Sequence, residues 1–168
     1  MKETGMTRRV DELGRVVIPK EIRTILKIKE GTPLEIFVEG DTLLFKKYSV
    51  AANNKQEIKN IGKTLFRNTG LSVCFFDGSE KILFLSQEEF NLNFTDAFFH
   101  KFELRQPFEC DKKSCLEMFG IEKFAFCAPL IKEGDLIGIF AVFSKEEISF
   151  ADKKMTMFCC DVLAQQIC

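Results

Sequence analysis

The first fifty residues hold two pairs of short apolar runs around one short helix, and this small size constrains the chain more than any other feature. Residues 4–10 are extended in character, Asp11-Glu12-Leu13-Gly14 reads as a turn, and Arg15-Val16-Val17-Ile18 is β-branched and apolar. Pro19 then opens a helix over 20–27, at a position where its missing N–H costs little. Lys29-Glu30-Gly31-Thr32 breaks that helix, and 34–38 and 43–47 read as a hairpin across Glu39-Gly40-Asp41. A unit this small buries only a modest part of its surface, so it needs a partner, and an obligate dimer is expected.

Charge is segregated along the chain, although the 168 residues carry a net charge of only −1. Residues 1–29 hold eight Lys/Arg against four acids, residues 30–50 have a net charge of −2, and residues 51–168 a net charge of −3. Any surface for a polyanion must therefore come from local segregation of charge, and the head is the basic segment. Within the helix after Pro19, Lys20, Arg23, Thr24 and Lys27 fall on one face, while Ile22, Ile25 and Leu26 take another and are expected to pack. Arg15 leads into that helix, and Arg8 and Arg9, as strand neighbours, point to opposite sides. Lysine suits phosphate as a point charge, arginine grips phosphate or guanine with two hydrogen bonds, and a helix start adds free N–H groups. From pattern alone this face reads equally as a nucleic-acid surface or as an ordinary solvated helix.

A small polar run from Ser49 to Gln56 separates this head from the rest, so the expected domains are 1–50, a linker at 51–56, and 57–168. Asn54 followed by Glu57 resembles a helix N-cap signature, and Ile58, Ile61, Leu65 and Phe66 place an amphipathic helix over 57–68. Strands are expected at 71–76 and 81–85, a helix at 95–104, and two strands at 124–131 and 135–143 whose near-continuous apolar runs suit central strands covered on both faces. Met155, Phe158, Cys159, Val162 and Leu163 mark the packed stripe of a closing helix over 150–167.

The head resembles the DNA-binding domain of AbrB-type transition-state regulators. The matching runs are Lys2-x-Thr4-Gly5, Arg8-Arg9-Val10-Asp11, the continuous Glu12-Leu13-Gly14-Arg15-Val16-Val17-Ile18-Pro19-Lys20-Glu21-Ile22-Arg23, then Gly31-Thr32-Pro33-Leu34-Glu35-Ile36-Phe37-Val38 and Leu44-Phe45-Lys46-Lys47-Tyr48. The resemblance implies a swapped-hairpin β-barrel built by two chains, with arginines from both facing DNA. By matched position Arg8, Arg15 and Arg23 lead as contacts, followed by Lys20, Arg9, Lys2 and Lys27. Some members carry a second arginine where this chain has Thr24, a departure that bears on the target sequence. Behind the head, Ala128-Pro129-Leu130-Ile131-Lys132-Glu133-Gly134-Asp135-Leu136-Ile137-Gly138 resembles the late strands of a GAF domain. The implied fold class is α+β: a dimeric AbrB-like barrel followed by an α/β GAF-like domain. The implied function is a cytoplasmic regulator of sporulation or stationary-phase genes that binds AT-rich promoter DNA, as a homodimer through 1–50 or a homotetramer joined through the helices at 57–68 and 150–167. Swapped-hairpin heads also serve antitoxins, and a sensor whose head merely dimerises is a third reading.

Little else points to chemistry. The longest apolar run, from Leu136 to Phe143, is far short of the roughly 20 residues of a membrane span. Seven cysteines, odd in number, irregular in spacing and without a signal segment before them, suit a reduced protein rather than a disulfide framework. Cys110 and Cys115 flank Asp-Lys-Lys-Ser, where lysines favour a thiolate sensor, against the plainer reading of structural cysteines. Phe94, Phe98, Phe99 and Phe102 either line a pocket for an unidentified small ligand or form core. His100, the single histidine, has no partner motif, so no cofactor, metal site or catalytic residue is expected.

Overall fold

The computed structural model describes residues 5–26, 28, 30–78, 82–86 and 91–167, and the chain divides into two compact units, Met1–Tyr48 and Ser49–Cys168.

In the first unit a short helix, α1 (Lys20–Ile25), precedes a hairpin of β1 (Leu34–Glu39) and β2 (Thr42–Lys47). The strands pair antiparallel from Leu34↔Lys47 to Glu39↔Thr42, which leaves Gly40-Asp41 as a two-residue turn. Gly40 has φ +56°, the left-handed backbone that such tight hairpins require. The strands expected at 4–10 and 15–18 are not formed: the described residues 5–10 and 15–18 belong to no ladder. The reason is pairing rather than propensity: Asp11 N–H bonds the Arg15 carbonyl (3.0 Å) across the turn, but no ladder follows from it. The helix is also shorter than expected and closes at Leu26, whose N–H reaches the Ile22 carbonyl (2.9 Å). Its apolar face is uncovered, with Ile25 and Leu26 both exposed.

The second unit is a five-stranded antiparallel sheet in the order β4-β3-β7-β6-β5. Its strands are β3 (Ser72–Phe76), β4 (Ile82–Leu85), β5 (Phe108–Cys110), β6 (Phe124–Lys132) and β7 (Asp135–Ser144). Among the described residues five helices accompany it: α2 (Val50–Asn53), α3 (Lys55–Thr69), α4 (Asp96–Glu103), α5 (Lys112–Phe119) and α6 (Phe150–Gln166). Strand alternation sends successive side chains to opposite faces, so each face grows its own core. Val73, Phe75, Phe126, Ala128, Phe140 and Val142 meet Ile58 and Leu65 of α3 and Cys160 and Leu163 of α6. Cys74, Phe76, Ala125, Cys127, Ile139, Ala141 and Phe143 meet Phe98 of α4 and Cys115 and Phe119 of α5. The continuous apolar runs of β6 and β7 follow directly, since both strands are covered on both sides.

Several boundaries differ from expectation. The stretch 51–56 is helical rather than a loose linker: Ser49 caps α2 by accepting from Ala52 N–H (3.1 Å), and Ala51 is buried. Asn54 offers no side-chain cap to α3; its amide instead donates back to the Val50 carbonyl (2.9 Å). β5 and α5 were not anticipated, yet Asp111 caps α5 by accepting from Ser114 N–H (2.8 Å), and Gly120 ends it at φ +75°. On α6 the packed stripe is Thr156, Cys159, Cys160 and Leu163, whereas Met155 and Phe158 are exposed. Both stripes fit helical spacing, and only the sheet's position chooses between them.

Candidate nucleic-acid interface

The turn before α1 is tied by one carboxylate. Asp11 Oδ1 accepts from Leu13 N–H (3.0 Å) and Arg15 N–H (2.8 Å), and its Oδ2 accepts from Arg15 Nε (2.8 Å). The Gly14 N–H closes onto the Asp11 carbonyl (3.0 Å), and Gly14 sits at φ +74°, where a side chain would be strained. The Arg15 amide and guanidinium, with the Leu13 amide, hold the Asp11 carboxyl below its usual 3.8. Arg15 thus leaves the turn in a set direction with its side chain 70% exposed.

This anchor has a testable consequence. A lowered folded-state pKa means that these bonds are complete above the ordinary carboxylate range and are lost only as pH falls through the lowered value. Amide exchange at Leu13 and Arg15 is expected to accelerate in Asp11→Ala at neutral pH, whereas the wild-type turn keeps its protection on acidification to about pH 4. Unchanged exchange in Asp11→Ala would show that the carboxylate does not hold the turn.

Around this turn the described candidates are open to solvent. Arg8, Arg9, Lys20 and Arg23 are exposed and make no ion pair among the described residues; Arg8 Nη1 donates only to the Thr7 carbonyl (2.8 Å). Thr24 spends its hydroxyl proton on the Lys20 carbonyl (2.9 Å), which leaves it as an acceptor toward solvent. Lys2 and Lys27 lie outside the described residues. The sequence places Asp11 at the start of the turn, but the anchoring role of its carboxylate toward Arg15 is what sequence reasoning missed.

The head fully covers none of its described apolar side chains. No described residue of 5–48 is buried; Leu13 is 74%, Val17 70% and Val38 74% exposed. Large apolar side chains exposed to this extent suit an interaction surface.

The second unit offers little comparable chemistry. Phe94, Phe98, Phe99 and Phe102 pack about Phe76 with ring centroids 4.2 to 5.9 Å away, and none of them lines either of two clefts of about 240 and 200 Å³. They are core. Cys110 and Cys115 are buried, and burial pushes their thiols up to about 12 and about 11, the opposite of the activation that nearby lysines suggested. Among the described residues no His, Cys, Asp and Glu are grouped to hold a metal ion, and no helix is long and apolar enough to cross a membrane.

Comparison with known proteins follows this division. Residues 7–49 match the family described as antidote-toxin recognition MazE, bacterial antitoxin. Stage V sporulation protein T of Bacillus subtilis is 36% identical over 160 residues, covering 88% of this chain and 87% of that protein. The transition state regulatory protein AbrB of the same organism is 56% identical over 48 residues, 29% of this chain and 50% of AbrB. The cofactor-binding GAF domain of the nutrient sensor CodY from Clostridium difficile superposes on 68% of the chain and 92% of that domain, with a TM-score of 0.54 at 11% identity. At that identity the likeness concerns the fold, which is GAF-like.

Proposed function

The chain belongs to the stage V sporulation protein T family, and we propose that it is a transcription regulator whose paired heads bind double-stranded DNA. It is a homologue of stage V sporulation protein T and of AbrB, with an AbrB-type head and a GAF-like domain behind it, and sporulation genes are its proposed targets. The observation that carries the reading lies in the head: Arg8, Arg9, Lys20 and Arg23, without acidic partners among the described residues, and Arg15, set by Asp11, are exposed on a unit that buries no described side chain. Such a unit cannot be stable alone. Pairing 1–50 with a second copy covers Val17 and Val38 and doubles the positive patch.

Arg8, Arg15 and Arg23 are the leading contacts in this proposal, with Arg9 and Lys20 supporting and Lys2 and Lys27 assigned by family resemblance. Arginine is drawn to the narrow minor groove of A-tracts, which favours AT-rich promoters. The GAF-like unit joins dimers as tetramers through the exposed Met155 and Phe158 of α6. No catalytic step forms part of the reading, and the protein acts in the cytoplasm, where it meets DNA.

The antitoxin reading requires a tail that wraps a toxin and orders on binding. Residues 49–167 instead carry a buried core on each face of a sheet, which favours the regulator. Light scattering of the full chain is expected to give a dimer or tetramer, and retention assays with AT-rich genomic fragments a salt-sensitive complex. A stable monomer, or a dimer that retains no fragment, would overturn the proposal.

A further inference from the structure

The surface of α3 is charged against the trend of its own unit. Residues 51–168 carry a net charge of −3, yet 55–69 hold Lys55, Lys59, Lys63 and Arg67 against the single acid Glu57, so everything else in that stretch has a net charge of −6. The four basic residues recur every fourth position, which on a helix makes one slowly drifting row about 18 Å long. Lys55, Lys63 and Arg67 are exposed, Lys59 is half-buried, and none makes an ion pair among the described residues. The packed side is elsewhere: Ile58, Gly62 and Leu65 face the core.

The row beside the cations is polar and occupied within the helix. Gln56 Nε2 donates to Asn60 Oδ1 (3.0 Å), Thr64 Oγ1 to the Asn60 carbonyl (2.9 Å) and Asn68 Nδ2 to the Thr64 carbonyl (2.8 Å). No acid other than Glu57 lies on the helix to neutralise the stripe. Flexible cations on a regular helix, without base-reading geometry, suit a continuous line of negative charge. Duplex DNA supplies one such charge per about 1.7 Å of its axis.

The chain itself brings that line within reach. Lys55 follows Tyr48, the last residue of the head unit, by seven residues, which span at most about 25 Å even when extended. A head on DNA therefore holds α3 at a high effective concentration near the flanking duplex. We propose that the Lys55, Lys59, Lys63 and Arg67 stripe of α3 is a second, sequence-independent DNA contact that grips phosphates beside the site held by the head. This inference rests on the DNA-binding reading of the head and adds to it a partner for the second unit.

The test compares the full chain with Lys55→Gln/Lys59→Gln/Lys63→Gln/Arg67→Gln, and with the milder Lys63→Gln/Arg67→Gln at exposed positions. Both are titrated by fluorescence anisotropy against promoter duplexes of increasing length at several salt concentrations. Each lost phosphate contact lowers the slope of log affinity against log salt by about 0.9. With three contacts, the wild type is expected to lose roughly 40-fold more affinity than the quadruple variant between 50 and 200 mM salt on long duplexes. On duplexes no longer than the head's own site, the two are expected to agree. Unchanged melting of the variants by circular dichroism excludes a folding defect, and the double variant is expected to show about two-thirds of the slope change. Equal slopes at every length, with wild type still binding, would overturn the α3 contact and leave the head's role standing. A change of oligomeric state with equal slopes would assign the stripe to a second protein copy and overturn it equally. Failure of wild type to bind any duplex would overturn both readings.

Discussion

Replacing Arg23 or Arg15 by alanine is expected to weaken promoter binding by roughly 5- to 150-fold each, the ~1–3 kcal/mol of a two-pronged arginine contact, while the dimer remains folded. Both side chains are exposed, and Arg23 has no acidic partner among the described residues, so truncation removes no packing. Arg15 differs in kind. Its guanidinium shares Asp11 through Nε, and its terminal nitrogens are left for a ligand. Lysine is therefore a sharper test than alanine at this position: it keeps the charge but loses both the Asp11 contact and the planar fork. Arg15→Lys is expected to bind closer to Arg15→Ala than to wild type if the fork reads a base edge. If it binds as wild type does, the residue is a phosphate contact. Parallel titrations against promoter and unrelated duplex separate the two outcomes, because loss of a base contact narrows the gap between them and loss of a phosphate contact weakens both alike. Wild-type affinity in both alanine variants would remove the turn and α1 from the interface.

The head's turn and short helix were legible from sequence and its strands were not, for one physical reason. Residue types and the spacing of Arg15, Lys20 and Arg23 are local properties, and so is the turn from Asp11 to Gly14. A strand, in contrast, is a pairing, and the residues at 5–10 and 15–18 find no ladder within one chain. The same distinction holds in the second unit. β6 and β7 were readable because burial on both faces writes a continuous apolar run. The packed stripe of α6 was not, because Met155 and Phe158 fit helical spacing as well as Thr156 and Cys160 do, and the sheet alone decides. α5 is signalled only by its ends, Asp111 as cap and Gly120 as stop, and Cys110 and Cys115 around it are buried rather than reactive.

Gly138→Ala is expected to be the most destabilising conservative change in the second unit. Gly138 lies buried in β7 opposite Leu130 of β6, and its backbone angle is ordinary, so its lack of a side chain matters only for space. A Cβ there would stand 2.5 Å from the Phe75 Cζ and 2.5 Å from the Phe76 carbonyl oxygen. The ring of Phe75 is held edge-on against Phe140 at 4.7 Å, and the carbonyl belongs to the neighbouring strand, so neither yields without shifting β3 from β7. Overpacking of this kind costs about 1–3 kcal/mol, with the backbone clash placing Gly138 at the upper end. For a unit of this size the loss lowers the melting temperature by roughly 5–15 °C. Gly62→Ala makes a useful contrast. Its Cβ would press on Phe84, but on the ring alone, in a strand at the sheet edge. A ring can turn where a carbonyl cannot, so Gly62→Ala is expected to melt above Gly138→Ala. Shortening Phe75 to leucine in the Gly138→Ala background relieves one of the two close approaches, and partial recovery of the melting temperature is the expected result. Circular dichroism melts of the three variants decide the matter: Gly138→Ala melting within a degree of wild type would mean that β3 and β7 are not packed as closely as this structure has them.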